Sequence, residues 1–227
     1  MLFATLDTET TGLLENRDGS PNLETRAIEV AIAVHDEDGS LVRTFSSLLH
    51  PDLITEEGFE VAEKVSGILR QEILDAPQPE EVWPQIRTFL DDFTIPVRTW
   101  NLPFDQEMTE RTFRASIVGD QDPIRWNGCI MRDFTRIFHA YAGRRYNGDV
   151  RWFNLGKAAD LANRLGCPMQ WTGDAHRALA DAIMSGAIDA KMRLGLLVPG
   201  EMPKTGKVNL DRKGMPKTGK ISLNRSC

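Results

Sequence analysis

Large apolar residues alternate with smaller or polar ones along 27–35, near the start of the chain, and a second candidate strand follows at 41–49. A period of two is typical of strands with one buried face, and the intervening turn Asp36-Glu37-Asp38-Gly39 predicts an antiparallel hairpin. Shorter apolar runs lie at 2–7 and 95–99. We therefore expect a sheet that begins with one strand followed by a hairpin.

Helical spacing of apolar residues dominates the rest of the chain, and it is clearest over 79–93. Weaker or shorter patterns of the same kind predict helices over 55–75, 104–116, 129–142 and 154–165, with a polar connection over 117–128. A last long helix is predicted to run to about residue 197, with Thr172 or Asp174 as its N-cap. These elements predict an α/β fold in which helices flank a mixed central sheet.

Two carboxylates stand one residue apart where the first apolar run ends, in the segment Asp7-Thr8-Glu9-Thr10-Thr11-Gly12. Residues i and i+2 of a strand share a face, so Asp7 and Glu9 can point at one place above the sheet. Converging carboxylates repel each other unless a cation or a proton lies between them, and Mg²⁺ prefers oxygen ligands. An isolated pair of this kind could equally be two solvated acids at a strand end, so partners elsewhere must decide.

Two later segments supply such partners. Asn101 and Asp105 follow the apolar run at 95–99, and His176 and Asp181 lie where the last helix is predicted to start. The three motifs, Asp-x-Glu, Asn-x-x-x-Asp and His-x-x-x-x-Asp, resemble in type and order those of the DnaQ-like 3′→5′ exonucleases of the histidine-type branch, DEDDh. This family includes the proofreading exonuclease of bacterial replicative DNA polymerase, and the resemblance implies a ribonuclease-H-like sheet.

The resemblance also implies roles for five residues in phosphodiester hydrolysis. Asp7, Glu9 and Asp181 would hold one of two divalent metal ions, Mg²⁺ or Mn²⁺ in its place. Asp7 would also bind the second ion, together with Asp105. His176 would accept the proton of the attacking water, for which an imidazole with an ordinary pKa of about 6.5 is well suited.

The same resemblance implies a substrate and the residues that line its site. The expected product is a nucleoside 5′-monophosphate, released stepwise from the 3′ end of single-stranded nucleic acid, with DNA favoured over RNA. The residues expected to contact the strand are Thr8, Leu13, Asn101 and Phe104. We expect no reading of base sequence, because stacking and backbone contacts tolerate any sequence.

Two other functions remain compatible with the sequence. Related family members act as 3′→5′ exoribonucleases with the same carboxylates, and no motif here reports groups that would sense a 2′-hydroxyl. The fold could also act as a non-catalytic module bound to a polymerase. Intact residues at all five catalytic positions argue against that second alternative.

Composition predicts an ordinary protein of the cytoplasm. With 26% charged and 41% hydrophobic residues the chain is typical of soluble domains, and we expect no membrane span or signal peptide. Cys129, Cys167 and Cys227 are widely spaced and odd in number. They lack both metal-ligand spacing and a disulfide pattern, which predicts a reducing compartment.

Charge is distributed unevenly along the chain and predicts two parts, an exonuclease domain over 1–199 and a basic, disordered tail over 200–227. The chain carries a net −6, whereas 202–227 hold seven lysines and arginines against one aspartate, or +6, which leaves −12 for 1–201. The tail repeats the unit Met-Pro-Lys-Thr-Gly-Lys at 202 and 215. Such a segment can attract phosphates or bind a polymerase or other replication or repair partner.

Overall fold

The computed structural model describes residues 1–16, 18–118, 124–142, 151–173 and 176–200. Within these ranges the strands form one mixed sheet in the order β3-β2-β1-β4-β5. The strands are β1 (Phe3–Thr10), β2 (Ala27–His35), β3 (Leu41–Leu48), β4 (Val97–Thr99) and β5 (Trp126–Cys129). The three leading strands are antiparallel, and β4 runs parallel to both β1 and β5. The predicted mixed sheet with its opening hairpin is confirmed.

Helices lie on both sides of this sheet. They are α1 (Glu56–Ser66), α2 (Arg70–Leu74), α3 (Pro79–Phe89), α4 (Leu102–Thr112), α5 (Arg114–Val118), α6 (Ile130–Ile137), α7 (Leu155–Arg164) and α8 (Ala178–Arg193), with a 3₁₀ turn at His139–Tyr141. Among the described residues, no helix has both the length and the apolar character needed to cross a membrane.

One sheet face carries the main apolar core, and the other is shaped for close approach of α8. On the first face, β-branched and leucine side chains of the central strands pack against Val82 and Ile86 of α3. On the second face, Ala31 and Ala33 present small side chains, and Gly186 of α8 lies so near the sheet that a Cβ there would be 2.1 Å from Nε2 of His35. The close contact fixes α8 along β1 and β2, which places its first turn beside the end of β1.

Several predicted boundaries are wrong, including that of the helix predicted over 129–142, which ends at Ile137 and is followed by a 3₁₀ turn. β5 overlaps the end of the predicted polar connection 117–128 and takes in Cys129 of the next predicted helix, because pairing with β4 makes a strand of a segment that has no alternating pattern. The helix predicted over 79–93 ends at Phe89, since residues 91–93 have φ angles between 51° and 60°. The helix predicted over 104–116 is divided at Phe113 into α4 and α5.

The predicted tail lies outside the described residues apart from Gly200, so the division at residue 199 stays a prediction.

Candidate active site

Three of the four predicted metal ligands converge where β1 ends. Asp7 and Glu9 project from β1, and Asp181 lies in the first turn of α8. Each offers a carboxylate oxygen within 4.8 Å of the others. Oδ1 of Asp181 is buried and has no hydrogen-bond partner among the described residues. A buried oxygen left unsatisfied beside two further carboxylates suits a hard divalent cation.

Asp105 approaches the same place from α4, although it lies outside that tight group. It is buried in the first turn of the helix, as predicted, and is 3% exposed. The Thr8 hydroxyl donates a 3.1 Å hydrogen bond to Oδ1 of Asp105. Thr8, predicted to contact the substrate, is therefore buried with its side chain directed to this carboxylate. The charge of Asp105 reaches Asp7 and raises the pKa of that carboxyl.

The crowded carboxylates hold protons unusually strongly. Burial raises the pKa of Glu9 from 4.5 to about 8 and that of Asp105 from 3.8 to about 7. Burial also raises the pKa of Asp181 from 3.8 to about 6, against the opposing effect of nearby His176. The pKa of Asp7 lies well above its usual value through burial and the charges of Asp105 and Asp181. In each case the effect of burial on the pKa outweighs the neighbouring groups that favour the charged form.

His176 lies next to this group, but the prediction that it belongs to the last helix is wrong. The helix begins at Ala178, its N-cap is Arg177 rather than Thr172, and Asp174 lies outside the described residues. His176 has a φ of 65°, the left-handed conformation, which cannot continue a right-handed helix. Its side chain is exposed, so the imidazole is accessible to solvent.

Three residues next to the site were not predicted from the sequence: Ser66, Glu29 and Arg177. The Ser66 hydroxyl, at the end of α1, donates a 2.5 Å hydrogen bond to Oε2 of Glu9. Glu29 of β2 lies directly opposite Glu9 in the sheet and pairs with Arg177. Glu29 had a usable signal, because a charged residue inside an apolar strand must find a partner. Ser66 had none, since nothing local distinguishes it from a surface serine.

The other predicted substrate contacts border the site. Leu13 follows the Asp-x-Glu segment and is 71% exposed. Asn101 is the N-cap of α4, where its carbonyl accepts the backbone amides of Phe104 and Asp105. Phe104 is half-buried in the first turn of that helix. These placements are compatible with a substrate cleft, and the roles of the residues stay predictions.

The comparisons with known proteins agree with this arrangement. A family model described as an exonuclease, RNase_T, matches residues 5–188. No curated protein matches the sequence at a significant level.

Solved structures resemble the fold at low sequence identity. The nuclease domain of 3′hExo, described as a DEDDh family member bound to rAMP, has a TM-score of 0.61 and 14% identity, covering 86% of this chain and 93% of that one. Cell-death related nuclease 4 gives 0.62 and 18%, covering 86% and 64%. Exonuclease I of E. coli with a dA16 oligonucleotide gives 0.60 and 18%, covering 86% and 42%. The chain therefore belongs to the exonuclease family matched over residues 5–188, within the DnaQ-like DEDDh exonucleases.

Proposed function

We propose that this protein is a metal-dependent 3′→5′ exonuclease that removes nucleoside 5′-monophosphates from the 3′ ends of single-stranded DNA. The observation that carries the proposal is the group formed by Asp7, Glu9 and Asp181, with an unsatisfied buried oxygen on Asp181 and His176 beside it. Membership of an exonuclease family gives this group its expected chemistry.

The four carboxylates fit two divalent cations, Mg²⁺ or Mn²⁺. Asp7, Glu9 and Asp181 would hold one ion, and Asp7 with Asp105 would hold the second. Two such ions, when bound, stabilise the attacking and the leaving oxygen of an in-line displacement at phosphorus. The raised pKa values of Glu9 and Asp105 support this assignment, because each marks a buried carboxylate whose charged form a bound cation would stabilise.

His176 would take the proton from the attacking water. Its exposed imidazole lies close enough to Asp181 to affect the pKa of that carboxylate. The left-handed backbone conformation of His176 costs free energy and persists only where the surrounding structure holds it. Residues in strained backbone conformations of this kind cluster at active sites.

The rim of the site favours an unpaired 3′ end. Leu13 is largely exposed and Phe104 partly so, and apolar side chains of this kind can pack on bases without selecting among them. Exonuclease I of E. coli is described in complex with a dA16 oligonucleotide and, in another structure, with ssDNA, which supports single-stranded DNA as the substrate. The 3′hExo domain is described as bound to rAMP, which favours a 3′→5′ exoribonuclease as the second candidate.

A cytoplasmic location agrees with Cys129 and Cys167, which are buried free thiols. The basic tail could bring the enzyme to nucleic acid or to a replication or repair partner.

The test compares single-stranded DNA, duplex DNA and RNA of one sequence, each labelled at the 5′ end, in the presence of Mg²⁺. We expect stepwise shortening from the 3′ end, release of 5′-monophosphates and the fastest initial rate on single-stranded DNA. Faster cleavage of RNA would favour the exoribonuclease. Internal cleavage, or no mononucleotide from any substrate, would contradict an exonuclease assignment.

Variants link the activity to the site. Asp7→Asn should abolish hydrolysis while the protein stays folded, and His176→Ala should lower turnover roughly 10²- to 10⁴-fold. The matched control is Asp91→Asn, which makes the same chemical change at a surface ion pair with Arg43. Full activity of Asp7→Asn would exclude the metal assignment, and full activity of His176→Ala would exclude the general base.

A further inference from the structure

An ion pair lies beside the carboxylate group and joins β2 to the start of α8. Glu29 is buried, with its side chain 4% exposed, and Arg177 reaches it from the edge of the site. Nε of Arg177 donates to Oε2 of Glu29 at 3.1 Å, and Nη2 donates to Oε1 at 2.9 Å. Two parallel bonds between a guanidinium and a carboxylate fix both position and orientation.

The same carboxylate also caps α8. The backbone amide of Ala178 donates to Oε2 of Glu29 at 3.1 Å. Arg177 occupies the N-cap position and gives no side-chain cap, and Glu29 accepts from the first helical amide, one of the four at a helix start that have no acceptor within the helix. A negative charge at this end also complements the helix dipole. Both oxygens of Glu29 are thereby engaged, which sets it apart from the metal-binding carboxylates.

The ion pair between Glu29 and Arg177 constrains the main chain next to both His176 and Asp181. His176 immediately precedes Arg177 in a left-handed conformation that an L-residue rarely adopts unaided. The backbone amide of Asp181 donates to the Arg177 carbonyl at 3.2 Å. Arg177 is thus attached to β2 by its side chain, while its main chain leads directly into His176 and supports the turn that carries Asp181.

We propose that Glu29 and Arg177 form a positioning clamp, which holds His176 beside Asp181. The clamp assigns neither residue a contact with the substrate or with a metal ion. The clamp acts through the geometry of residue 176, so the proposal rests on His176 being the general base.

The experiment replaces Arg177 by lysine. Lysine keeps the positive charge but cannot make the two parallel bonds. Arg193→Lys is the matched control, because Arg193 also pairs with a buried acid, Asp189, lies at the other end of α8 and has nearly the same side-chain exposure, 42% against 40%. Arg177→Lys should lower kcat about 10- to 100-fold, as expected when a reacting group is displaced slightly. KM should change little in Arg177→Lys, and so should the affinity for Mn²⁺, which calorimetry measures. Arg193→Lys should resemble the wild type in all three quantities.

A double-mutant cycle tests whether the effect passes through His176. In a His176→Ala background, Arg177→Lys should cause no further loss of kcat. An equal loss in both backgrounds would overturn the clamp, as would wild-type kcat for Arg177→Lys.

Readouts without turnover separate failure of the clamp from failure of the proposed base. Loss of two-point contact should speed hydrogen exchange at the Ala178 amide and change the NMR signal of the His176 ring, one of four histidines in the chain. Unchanged exchange and an unchanged ring signal would overturn the clamp. Full activity of His176→Ala would instead remove the proposed base, whatever these two measurements give.

Discussion

Without bound metal, the carboxylate group should make the protein less stable as the pH rises. The folded pKa values of Glu9, about 8, and Asp105, about 7, lie above the ordinary values of 4.5 and 3.8. The unfolded chain therefore releases these protons at lower pH than the folded protein does. Because the folded state binds more protons over that interval, the free energy of unfolding falls as pH rises through the folded pKa.

The magnitude follows from the pKa values. For Glu9, the rise from 4.5 to about 8 corresponds to about 5 kcal/mol once the group is fully charged, at 1.36 kcal/mol per tenfold change in proton affinity. Roughly 2 kcal/mol of this is lost between about pH 6.5 and 8.5, and Asp105 adds roughly 1 kcal/mol. A total change of about 3 kcal/mol lowers Tm by about 6–12 °C in a chain of this length.

The pH interval is chosen to avoid an opposing effect. Burial lowers the pKa of His35, so its neutral form is favoured in the folded protein. The folded state then binds fewer protons than the unfolded state below pH 6.5, and stability falls as the pH drops further. Above that pH His35 contributes little, and the carboxylates govern the slope.

The assay measures Tm in a chelating buffer from about pH 6.5 to 8.5, then repeats it with saturating Mg²⁺. Metal should flatten the slope, because the cation replaces the protons, and calorimetry in two buffers should detect release of roughly one to two protons at pH 7. Asp7→Asn should raise the metal-free Tm and reduce the slope, whereas Asp91→Asn should leave both unchanged. A metal-free Tm that is constant or rises over this interval would refute the reasoning.

Three further predictions use other parts of the molecule. Gly186→Ala would put a Cβ 2.1 Å from Nε2 of His35 and should lower the free energy of unfolding, measured in urea, by roughly 1–3 kcal/mol or more. At Gly156 of α7 a Cβ meets no described atom within 4 Å, so Gly156→Ala should be tolerated. Equal stabilities of the two variants would contradict the close packing of α8. Ser66→Ala should weaken Mn²⁺ binding about 10- to 100-fold by releasing Glu9, and unchanged affinity would exclude that orienting role. Deleting the basic tail should weaken the binding of long single strands at low salt but not the binding of a dinucleotide. The difference in affinity between the intact and the truncated protein should vanish at high salt. If the affinities of both proteins fall equally with salt, a contact between the tail and DNA is excluded.

The elements that could be predicted are those with a strong local pattern. The strand predicted over 27–35 matches β2 at both ends, because alternation and turn residues define it without outside help. The helix predicted over 154–165 is also found, with the Asn154 side chain accepting from the Lys157 amide as its cap. β5 was missed because only its pairing with β4 makes it a strand, and its sequence, Trp-Asn-Gly-Cys, has no apolar period.

The features of the candidate site also divide into those that a local pattern predicts and those that depend on contacts between distant residues. Its carboxylates could be found because Asp7 and Glu9 are two residues apart on one strand, and Asp181 stands at a fixed offset from His176. The conformation of His176 could not, because it depends on an attachment made across 148 residues between Arg177 and Glu29. A spacing motif records which residues act together, but it does not record where the helix around them begins.

The attachment also sets the charge that the proposed metal ions must balance. Five acidic side chains, Asp7, Glu9, Glu29, Asp105 and Asp181, influence one another at this end of the sheet. Arg177 neutralises Glu29, which leaves four carboxylates without a protein cation bonded to them among the described residues. Two divalent ions supply the four positive charges that these carboxylates need, whereas a protein without Arg177 would bury a fifth negative charge against the same two ions. The residue that places the proposed base thus also matches the remaining carboxylates to two metal ions.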